Sequence, residues 1–447
     1  MPRGVIDWPR VLPLAILVNC IPRRAAHAPT ALVRGAHLRS GMAAAATGRP
    51  LSMGGHIRAK YPELEPSGKP MYSVDPSSGI DLADWARVID VRSPGEYAED
   101  HVPGAVSLPV LEDEERAEVG TLHAKESPFQ ARLRGAALVA LNLHRILQSD
   151  HVTSLEPDAP ILVYCWRGGE RSKSLAHVLS RVGFDVGLVR GGYKAYRAQV
   201  REQLAGLGDY RYHVIGGSTG SAKGKLLDML LARGAQVVDL EGLANHKGSI
   251  LGANPESPQP SQKAFESALV HQFRAFDKGR PIFVESESNL VGKIHVPKAM
   301  FARMQGAPRT MLKLPMPARV AWIRACYRYF ETTHTAKLKA AIVGLTRLQG
   351  HRQVAEWTAA IDEERWDDLV ESLLVNHYDP AYARSAELHY DKGALGAATA
   401  LQLEDTSDDT YARAADMLVG MWDAPAEEGD APDDAEAGAQ VSTEASR

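Results

Sequence analysis

The sequence contains little cysteine and no long apolar run, and each shortage excludes a class of protein. Three of the 447 residues are cysteines, Cys20, Cys165 and Cys326, and they lie far apart. Their spacing matches neither a disulfide framework nor a zinc motif, so we predict a protein of a reducing compartment, where a cysteine can act as a nucleophile. Because no apolar stretch approaches the roughly 18 residues of a membrane span, we expect a soluble chain with no membrane partner.

Net charge is also low, since its formal value is -4, and a low value argues at first against a nucleic-acid partner. The charge is unevenly distributed, however. Residues 1–58 carry a net charge of +7 and residues 423–447 carry -7, so the two ends cancel. Between them, residues 297–352 hold eleven lysines or arginines and a single acid, Glu331, for a net charge of +10. The average therefore hides a strongly basic segment.

The two ends of the chain do not have the composition of folded domains. Residues 1–70 are rich in Arg, Ala, Gly and Pro and are predicted to be a leader or a disordered extension. A transit peptide of this kind would direct the protein to a mitochondrion or plastid; without one we expect a cytoplasmic protein. A true start at Met42 or Met53 is a further alternative. The acidic segment 423–447 is predicted to be disordered.

Between the ends, strand-like and helix-like apolar segments alternate, which predicts an α/β fold. We expect a parallel-sheet domain over 75–205, a second α/β domain over 210–296, and a mostly helical, basic region over 297–422. The predicted strands are 87–91, 161–165, 185–189, 212–217, 236–242 and 281–286. The predicted helices of the last region include 318–330 and 366–378.

Cys165 ends a predicted strand and opens a glycine-rich loop before a helix that begins near Ser172. The carboxyl edge of a parallel sheet is where α/β proteins bind ligands. Loop N–H groups, the helix N-terminus and two arginines all favour an anion or a thiolate there. We therefore predict that Cys165 is catalytic, and that Cys326, on an apolar helix face, is a core residue. The predicted anion loop comprises Trp166, Arg167, Gly168, Gly169, Glu170, Arg171 and Ser172.

The segments around this loop resemble a rhodanese domain. The resemblance is carried by DVRSPGEYAEDHVPGAVSLP (90–109), CWRGGERS (165–172) and LVRGGYKAY (188–196). Such a loop holds either a persulfide-like adduct or a phosphate-like oxyanion. The spacing of Cys165 and Arg171 also matches cysteine-dependent phosphatases, which need a general acid. Asp90 and Asp100 are the candidates for that role.

The segment GSTGSAKG (217–224) follows a strand and precedes a helix, so it resembles a phosphate-binding P-loop. Ala222 replaces a glycine of that motif, and Gly224 replaces the hydroxyl residue that normally binds Mg²⁺. Backbone N–H groups and Lys223 can still hold phosphate, whereas a magnesium requirement stays open; an ordinary glycine-rich turn is the alternative. The predicted phosphate-binding residues are Gly217, Ser218, Thr219, Gly220, Ser221 and Lys223. No metal ligands are assigned.

The order of the two loops, together with further segments, resembles the tRNA 2-selenouridine synthase family over residues 75–390. Those segments are EDEERAEVGTLH (112–123), VVDLEGLANHKGSILG (237–252), QPSQKAFES (259–267) and NHYDPAYARS (376–385). The resemblance implies a rhodanese-like domain followed by a P-loop-like α/β domain. It also implies a transferase that acts on tRNA.

The implied reaction replaces the sulfur of wobble-position 2-thiouridine with selenium from selenophosphate, through an S-geranyl intermediate made from geranyl diphosphate. The resemblance makes Cys165 the essential thiol and assigns the diphosphate to the 217–224 loop. Selenophosphate and geranyl diphosphate are then co-substrates, tRNA carrying 2-thiouridine is the partner, and no tightly bound cofactor is expected. The alternatives are a sulfurtransferase or cysteine phosphatase with a degenerate nucleotide-binding domain, or a non-catalytic tRNA-binding protein.

The basic segment 297–352 is the predicted tRNA surface, because lysines and arginines contact nucleic-acid phosphates. The leading candidates for tRNA binding are Arg319, Arg324, Arg328, Lys337 and Lys339. Trp322, Tyr327 and Tyr329 are interleaved with them and could stack on splayed bases. The alternative is a solvated basic face whose aromatic side chains belong to the core.

Overall fold

The computed structural model describes residues 69, 71–76, 80, 82–249, 251–286, 288–389 and 398–423. Nearly all of the predicted leader and of the predicted acidic tail lies outside these residues. The described chain contains two five-stranded sheets whose strands are all parallel, so the predicted α/β class is confirmed. No helix among the described residues is long and apolar enough to span a membrane.

The first sheet is built from residues 71–189. Its strands are β1 (Met71–Val74), β2 (Arg87–Asp90), β3 (Val106–Ser107), β4 (Pro160–Tyr164) and β5 (Asp185–Val189), in the order β1-β5-β4-β2-β3. Its helices are α1 (Pro94–Glu99), α2 (Asp113–Lys125), α3 (Pro128–Leu147), α4 (Asp150–Thr153), α5 (Glu170–Val182) and α6 (Gly192–Ala205), with 3-10 turns at Leu82–Asp84 and Gly206–Asp209.

Helices cover both faces of this sheet, which explains why its central strand is apolar at successive positions. In β4, Ile161 and Val163 pack in a core that includes α5. The alternate residues, Leu162 and Tyr164, pack in a second core that includes α6. Since side chains alternate across a strand, β4 is buried on both sides, and its carboxyl end is held firmly at the sheet edge.

We refer to the described residues from 71 to 209, which include the first sheet, as the first half of the molecule, and to those from 211 to 423, which include the second sheet, as the second half. The strands of the second sheet are β6 (Arg211–Gly217), β7 (Gln236–Val238), β8 (Pro281–Glu285), β11 (Arg309–Lys313) and β12 (Thr399–Gln402), in the order β12-β11-β6-β8-β7; β9 (Leu290–Val291) and β10 (Ile294–His295) form a separate hairpin. The first four helices of this half are α7 (Lys223–Ala232), α8 (Leu240–Leu243), α9 (Gln262–Phe273) and α10 (Lys298–Gln305).

The C-terminal helices form a small bundle and then return to the second sheet. They are α11 (Met316–Cys326), α12 (Arg328–Thr332), α13 (Thr335–Val343), α14 (Thr346–Asp362), α15 (Trp366–Leu373), α16 (Asp379–His389) and α17 (Asp408–Asp423), with a π-helical turn at Leu374–Tyr378. The bundle packs around Trp357, which is 1% exposed. Helix α17 packs on the second sheet through Tyr411 and Leu418.

Three details of the 297–422 region differ from the prediction. The region supplies two strands, β11 and β12, that pair in the second sheet although their short apolar patterns were not recognised. The predicted helix 318–330 breaks at Tyr327, whose φ is -118°. The predicted helix 366–378 leaves α-helical geometry after Leu373. In each case contacts between residues far apart in sequence, rather than the local spacing of apolar residues, determine the backbone geometry.

Candidate functional site

Cys165 lies directly after β4, at the carboxyl edge of the first sheet, and is 3% exposed. Its Sγ accepts a hydrogen bond from the backbone N–H of Gly169 at 3.2 Å. The hydroxyl of Ser172 lies 3.2 Å from the same sulfur. Helix α5 begins at Glu170, so the thiol is next to a helix N-terminus, where positive potential favours a bound anion.

The loop after Cys165 is held closed by glycines. Gly168 has a φ of +69°, a backbone conformation that glycine adopts at little cost. Gly192, at the start of α6, packs directly under the loop: a Cβ atom there would lie 2.6 Å from the amide nitrogen of Gly168 and closer still to the carbonyl oxygen of Cys165. Gly168 of the CWRGGERS segment and Gly192 of the LVRGGYKAY segment therefore allow the two backbone segments to lie in direct contact.

The two arginines of the predicted anion loop have different environments. Arg167 is exposed, whereas Arg171 donates a 2.7 Å hydrogen bond to Glu96 of α1. Burial of Glu96 opposes its ionisation, but the Arg171 guanidinium outweighs that effect and lowers the pKa of the carboxyl. Arg171 is thus anchored beside the loop. Of the remaining members, Glu170 is exposed, Trp166 is half-buried and Ser172 is buried.

Both candidates for a phosphatase general acid are buried. Asp90 is fully buried and forms a bidentate ion pair with Arg92. Asp100 is 1% exposed and accepts hydrogen bonds from Tyr193 and Ser267. Both carboxyls are enclosed by protein groups, so the geometry offers neither of them to a leaving group.

The predicted phosphate loop joins β6 to α7 at the carboxyl edge of the second sheet. Gly217 adopts a φ of +150° and Gly220 a φ of +85°. The Lys223 ammonium folds back over the loop, 3.4 Å from the carbonyl oxygen of Gly217. Ala222, which replaces a glycine of the motif, also adopts a left-handed conformation, with a φ of +50°. The loop therefore keeps a glycine-like path despite the substitution.

A cleft with a volume of about 1150 Å³ opens beside the phosphate loop. Thr219, Gly220, Ala222, Lys223 and Gly224 line one side of it. The facing wall is rich in apolar and aromatic side chains, namely Trp322, Ile323, Tyr327, Tyr329, Tyr378 and Tyr382. Cys326 also lines this cleft and is only half-buried, so the prediction that it is a core residue was wrong.

Acidic side chains lie at the base of the cleft. Asp239, Glu241 and Glu285 line it, and Glu285 accepts a 2.7 Å hydrogen bond from the backbone N–H of Glu241. The Asp239 carboxyl caps α8 by accepting from the N–H of Gly242 at 2.8 Å. No group of three or more potential metal ligands occurs among the described residues. The Glu285 and Asp239 carboxylates thus each hold a backbone N–H group at the cleft.

The predicted tRNA-binding cations are not equivalent. Arg319 is 7% exposed and forms a bidentate ion pair with Asp379, so it does not lie on the surface as predicted. Its Nε also donates to the carbonyl oxygen of Thr219 at 2.9 Å, which braces the phosphate loop. A surface position had been expected because the sequence does not show that Asp379 folds against Arg319.

The other four cations lie nearer the surface. Arg324 pairs with Glu331 and Asp367, and Lys339 pairs with Asp362. Lys337 is exposed and donates to the carbonyl oxygen of Pro255, and Arg328 is exposed. Part of the +10 charge of 297–352 is thus balanced by three acids that follow the segment in sequence, Asp362, Asp367 and Asp379. Arg328 and Lys337 form no ion pair with a carboxylate among the described residues.

Two cleft residues were missed by the sequence reasoning. Lys247 places its ammonium 4.0 Å from the ring centre of Tyr327 and donates to the carbonyl oxygen of Cys326 at 2.8 Å. Tyr382 accepts a 2.9 Å hydrogen bond from the N–H of Gly217. Both lie in segments that had been quoted only for their resemblance, 237–252 and 376–385. Neither side chain belongs to a sequence motif that would by itself indicate a binding role.

Comparison with known proteins gives matches to both halves of the chain. Residues 77–199 match the family model described as "Rhodanese-like domain", and residues 210–399 match the one described as "tRNA 2-selenouridine synthase AAA domain". A protein of Sulfurovum sp. named tRNA 2-selenouridine synthase is 33% identical over 324 residues, covering 66% of this chain and 87% of the relative. A protein of Shewanella halifaxensis with the same name is 32% identical over 340 residues, covering 68% and 90%.

Proposed function

The chain belongs to the tRNA 2-selenouridine synthase family, and from this premise we propose that it replaces sulfur by selenium in wobble-position 2-thiouridine of tRNA. The observation that carries the proposal is the combination, in one chain, of a buried thiol that accepts a loop N–H group and a P-loop-like segment that opens on a large cleft. Selenophosphate is the proposed selenium donor, and geranyl diphosphate is the proposed activating co-substrate.

In the first step, the 2-thiouridine sulfur attacks C1 of geranyl diphosphate. An S–C bond forms, the C–O bond to the diphosphate breaks, and pyrophosphate leaves. Lys223 and the N–H groups of the 217–224 loop suit the charge of that leaving group. The adjacent apolar wall suits an isoprenoid chain, because Ile323 and Trp322 line the same cleft as Lys223.

In the second step, selenium replaces the S-geranyl group at C2 of the base. The sulfur departs as geranylthiol, and water converts the rest of the selenophosphate to phosphate. Alkylation makes this sulfur a better leaving group. Cys165 and the 166–172 loop are the proposed holders of the selenophosphate anion, since the Gly169 N–H and the start of α5 point toward the thiol.

The proposal does not depend on a metal centre. A diphosphate leaving group needs donors, which the loop provides, and Gly224 lacks the hydroxyl that would normally hold Mg²⁺. The proposal therefore assigns the diphosphate contacts to Lys223 and the loop N–H groups, and a magnesium requirement stays open. A tRNA surface around Arg328 and Lys337 completes the proposal, because both cations lie beside the cleft-lining segments 245–258 and 322–329.

The function is tested by incubating the full chain with 2-thiouridine tRNA, geranyl diphosphate and selenophosphate, and separating the nucleosides by mass. We expect 2-selenouridine, together with S-geranyl-2-thiouridine when selenophosphate is omitted. Thiocyanate formation or aryl-phosphate hydrolysis without either nucleoside would favour the sulfurtransferase or phosphatase alternative. Tight tRNA binding without turnover would favour the non-catalytic one.

Two variants separate the roles of the loops. Lys223→Ala is expected to weaken binding of geranyl diphosphate, measured by titration calorimetry, by about tenfold or more, because a charged donor is lost. The matched control is Lys225→Ala, since Lys225 follows on α7 but donates to Thr406 outside the cleft. Cys165→Ser is expected to abolish selenation and leave geranylation intact. Unchanged affinity in Lys223→Ala would remove the phosphate loop from the proposal.

A further inference from the structure

The two halves of the molecule are joined by a buried polar contact that the proposed function does not use. Asp100 follows α1 in the first half and is 1% exposed. Its Oδ2 accepts a 2.7 Å hydrogen bond from the Tyr193 hydroxyl and a 3.0 Å hydrogen bond from the Ser267 hydroxyl. Tyr193 belongs to α6 and Ser267 to α9. One carboxylate oxygen therefore links a helix of each half.

Helix α9 can transmit a displacement between the two halves because its side chains pack in the cores of both. Phe265 and Leu269 pack in the core of the second sheet. Val270, on another face of the same helix, packs in the α6-side core of the first sheet. The helix begins after Ser261, whose hydroxyl caps it, and the preceding residue Pro260 lines the large cleft. The segment that leads into α9 is therefore part of the cleft wall.

Tyr193 carries the contact onward to the cysteine loop. Its backbone N–H donates to the carbonyl oxygen of Cys165 at 2.8 Å. Its ring lies 5.3 Å from the ring of Trp166, the next residue of the loop, and 3.9 Å from the guanidinium of Arg92. The chain of direct contacts from Ser267 to the reactive loop thus passes through two side chains, Asp100 and Tyr193.

Stability alone gives a poor reason for this arrangement. Burial raises the pKa of the Asp100 carboxyl, so its ionised form is held at a cost. Within the described part of the chain, its Oδ1 has no hydrogen-bond partner. The Arg197 guanidinium lies 4.0 Å from Oδ2, and it also pairs with Glu266. A buried carboxyl with one oxygen unsatisfied destabilises a fold compared with an apolar contact.

We propose that Asp100 is a positioning residue that couples the cleft-bearing half of the molecule to the Cys165 loop through Ser267 and Tyr193. The inference goes beyond the proposed function, because it concerns how the two sites communicate and holds whichever substrates they bind. A displacement of α9 moves Ser267 and, through its hydrogen bond, the Asp100 carboxylate. The carboxylate in turn moves the Tyr193 side chain. The Cys165 loop then moves as well, because the backbone N–H of Tyr193 is hydrogen-bonded to it. The fixed loop keeps the thiol enclosed; releasing the link exposes it.

The test measures the alkylation rate of each thiol in the full chain with iodoacetamide, quantified by peptide mass at Cys165 and at Cys326. Cys326 lies in the cleft and reports any general loosening of the fold. Ser267→Ala removes the far end of the link, together with the hydrogen bond between Ser267 and Tyr196, and Tyr193→Phe removes the near end. Both are expected to raise the Cys165 rate about threefold or more, with Cys326 unchanged.

Two further variants act as controls. Asp100→Asn keeps an oxygen that can accept from both hydroxyls, so the alkylation rate of Cys165 in this variant is expected to stay close to that of the wild-type chain. Lys263→Met removes a different contact across the same interface, the ion pair with Glu99, and is expected to have no effect on Cys165. A wild-type Cys165 rate in Ser267→Ala would overturn the proposal. A parallel rise at Cys165 and Cys326, or an equal effect of Lys263→Met, would also overturn it, because either result indicates a structural role alone.

Discussion

At the scale of single residues, Ala222 is unusual because an L-residue with a side chain occupies a left-handed backbone conformation, with φ +50° and ψ 39°. That conformation costs a non-glycine residue about 1 kcal/mol. A glycine would remove the strain but would also remove a buried methyl group worth about 0.8 kcal/mol. We therefore expect Ala222→Gly to change the free energy of unfolding by less than about 0.5 kcal/mol, measured by urea denaturation.

The control for this prediction is Ala355→Gly, at an exposed position within α14. There the alanine already has helical geometry, so the same substitution should destabilise the protein by about 1 kcal/mol. If Ala222→Gly were as destabilising as Ala355→Gly, the left-handed strain at position 222 would be absent. The comparison uses one chemical change in two backbone conformations.

His213, in the middle of β6, makes stability depend on pH. It is 3% exposed, and burial lowers its pKa from 6.5 to about 4. Between these values the unfolded chain binds a proton that the folded chain does not, so stability falls as pH decreases through this window. From pH 7 to pH 5 we expect this histidine to account for a loss of about 2 kcal/mol. Urea denaturation at both pH values measures it.

In His213→Gln this part of the pH dependence should disappear, while the remaining titratable groups still contribute theirs. His123→Gln, on the exposed side of α2, provides the matched control and should retain the full dependence. Identical losses between pH 7 and pH 5 in wild-type and His213→Gln protein would show that the histidine does not titrate in this way.

The residues that sequence could locate are those whose chemistry is local. Cys165 and Lys223 each belong to a strand–loop–helix segment, so the spacing of glycines and charges within a few residues was enough to place them beside a helix N-terminus. Arg319 could not be placed in this way. Its partner, Asp379, lies 60 residues further along the chain, and no local pattern shows that the two meet.

At the scale of secondary-structure elements, the Arg319–Asp379 pair joins α11, α16 and the phosphate loop. Removing Arg319 leaves Asp379, which is 30% exposed, without its bidentate partner. We expect Arg319→Ala to destabilise the protein by about 2 kcal/mol, less than for a fully buried pair because water still reaches the carboxylate. Denaturation of the single and double variants measures this.

A double-mutant cycle with Asp379→Asn separates the pair from other losses. The coupling energy between the two positions should be about 1–3 kcal/mol, as for residues in one ion-pair network. Additive effects of the two substitutions would show that the contact contributes nothing to the fold. Arg233→Ala, which breaks the more exposed pair with Asp416 on α17, should destabilise the protein less than Arg319→Ala does.

Element boundaries show where sequence reasoning reached its limit. The buried strands β2, β4, β5, β6 and β8 were predicted because each is a short apolar run between turn signals. The interruption between α11 and α12 was not, because the apolar spacing continues through it. Tyr327 there lies under the ammonium of Lys247, from a segment about eighty residues earlier in the chain. Contacts of that range are invisible to periodicity.

At the scale of the whole molecule, the net charge of -4 does not predict how strongly the protein binds tRNA. Within 297–352, Arg319, Arg324 and Lys339 are balanced by carboxylates of the folded protein. The local field at the cleft therefore depends on fewer cations than the sequence count suggests. Capture of a polyanion by such a chain requires a local patch rather than overall charge.

Arg328 and Lys337 are the cations from which that patch can be tested, since both are exposed and neither pairs with a described carboxylate. Each phosphate contact contributes about one unit to the slope of log affinity against log salt concentration. We expect the double variant Arg328→Glu with Lys337→Glu to weaken tRNA binding and to reduce that slope by about one to two units. The control reverses Lys125 and Arg132, two exposed cations on the α2–α3 hairpin of the first half. Filter binding at several salt concentrations measures the affinity and the slope for each double variant. Equal slopes in the two double variants would show that the tRNA surface does not lie at Arg328 and Lys337 beside the cleft.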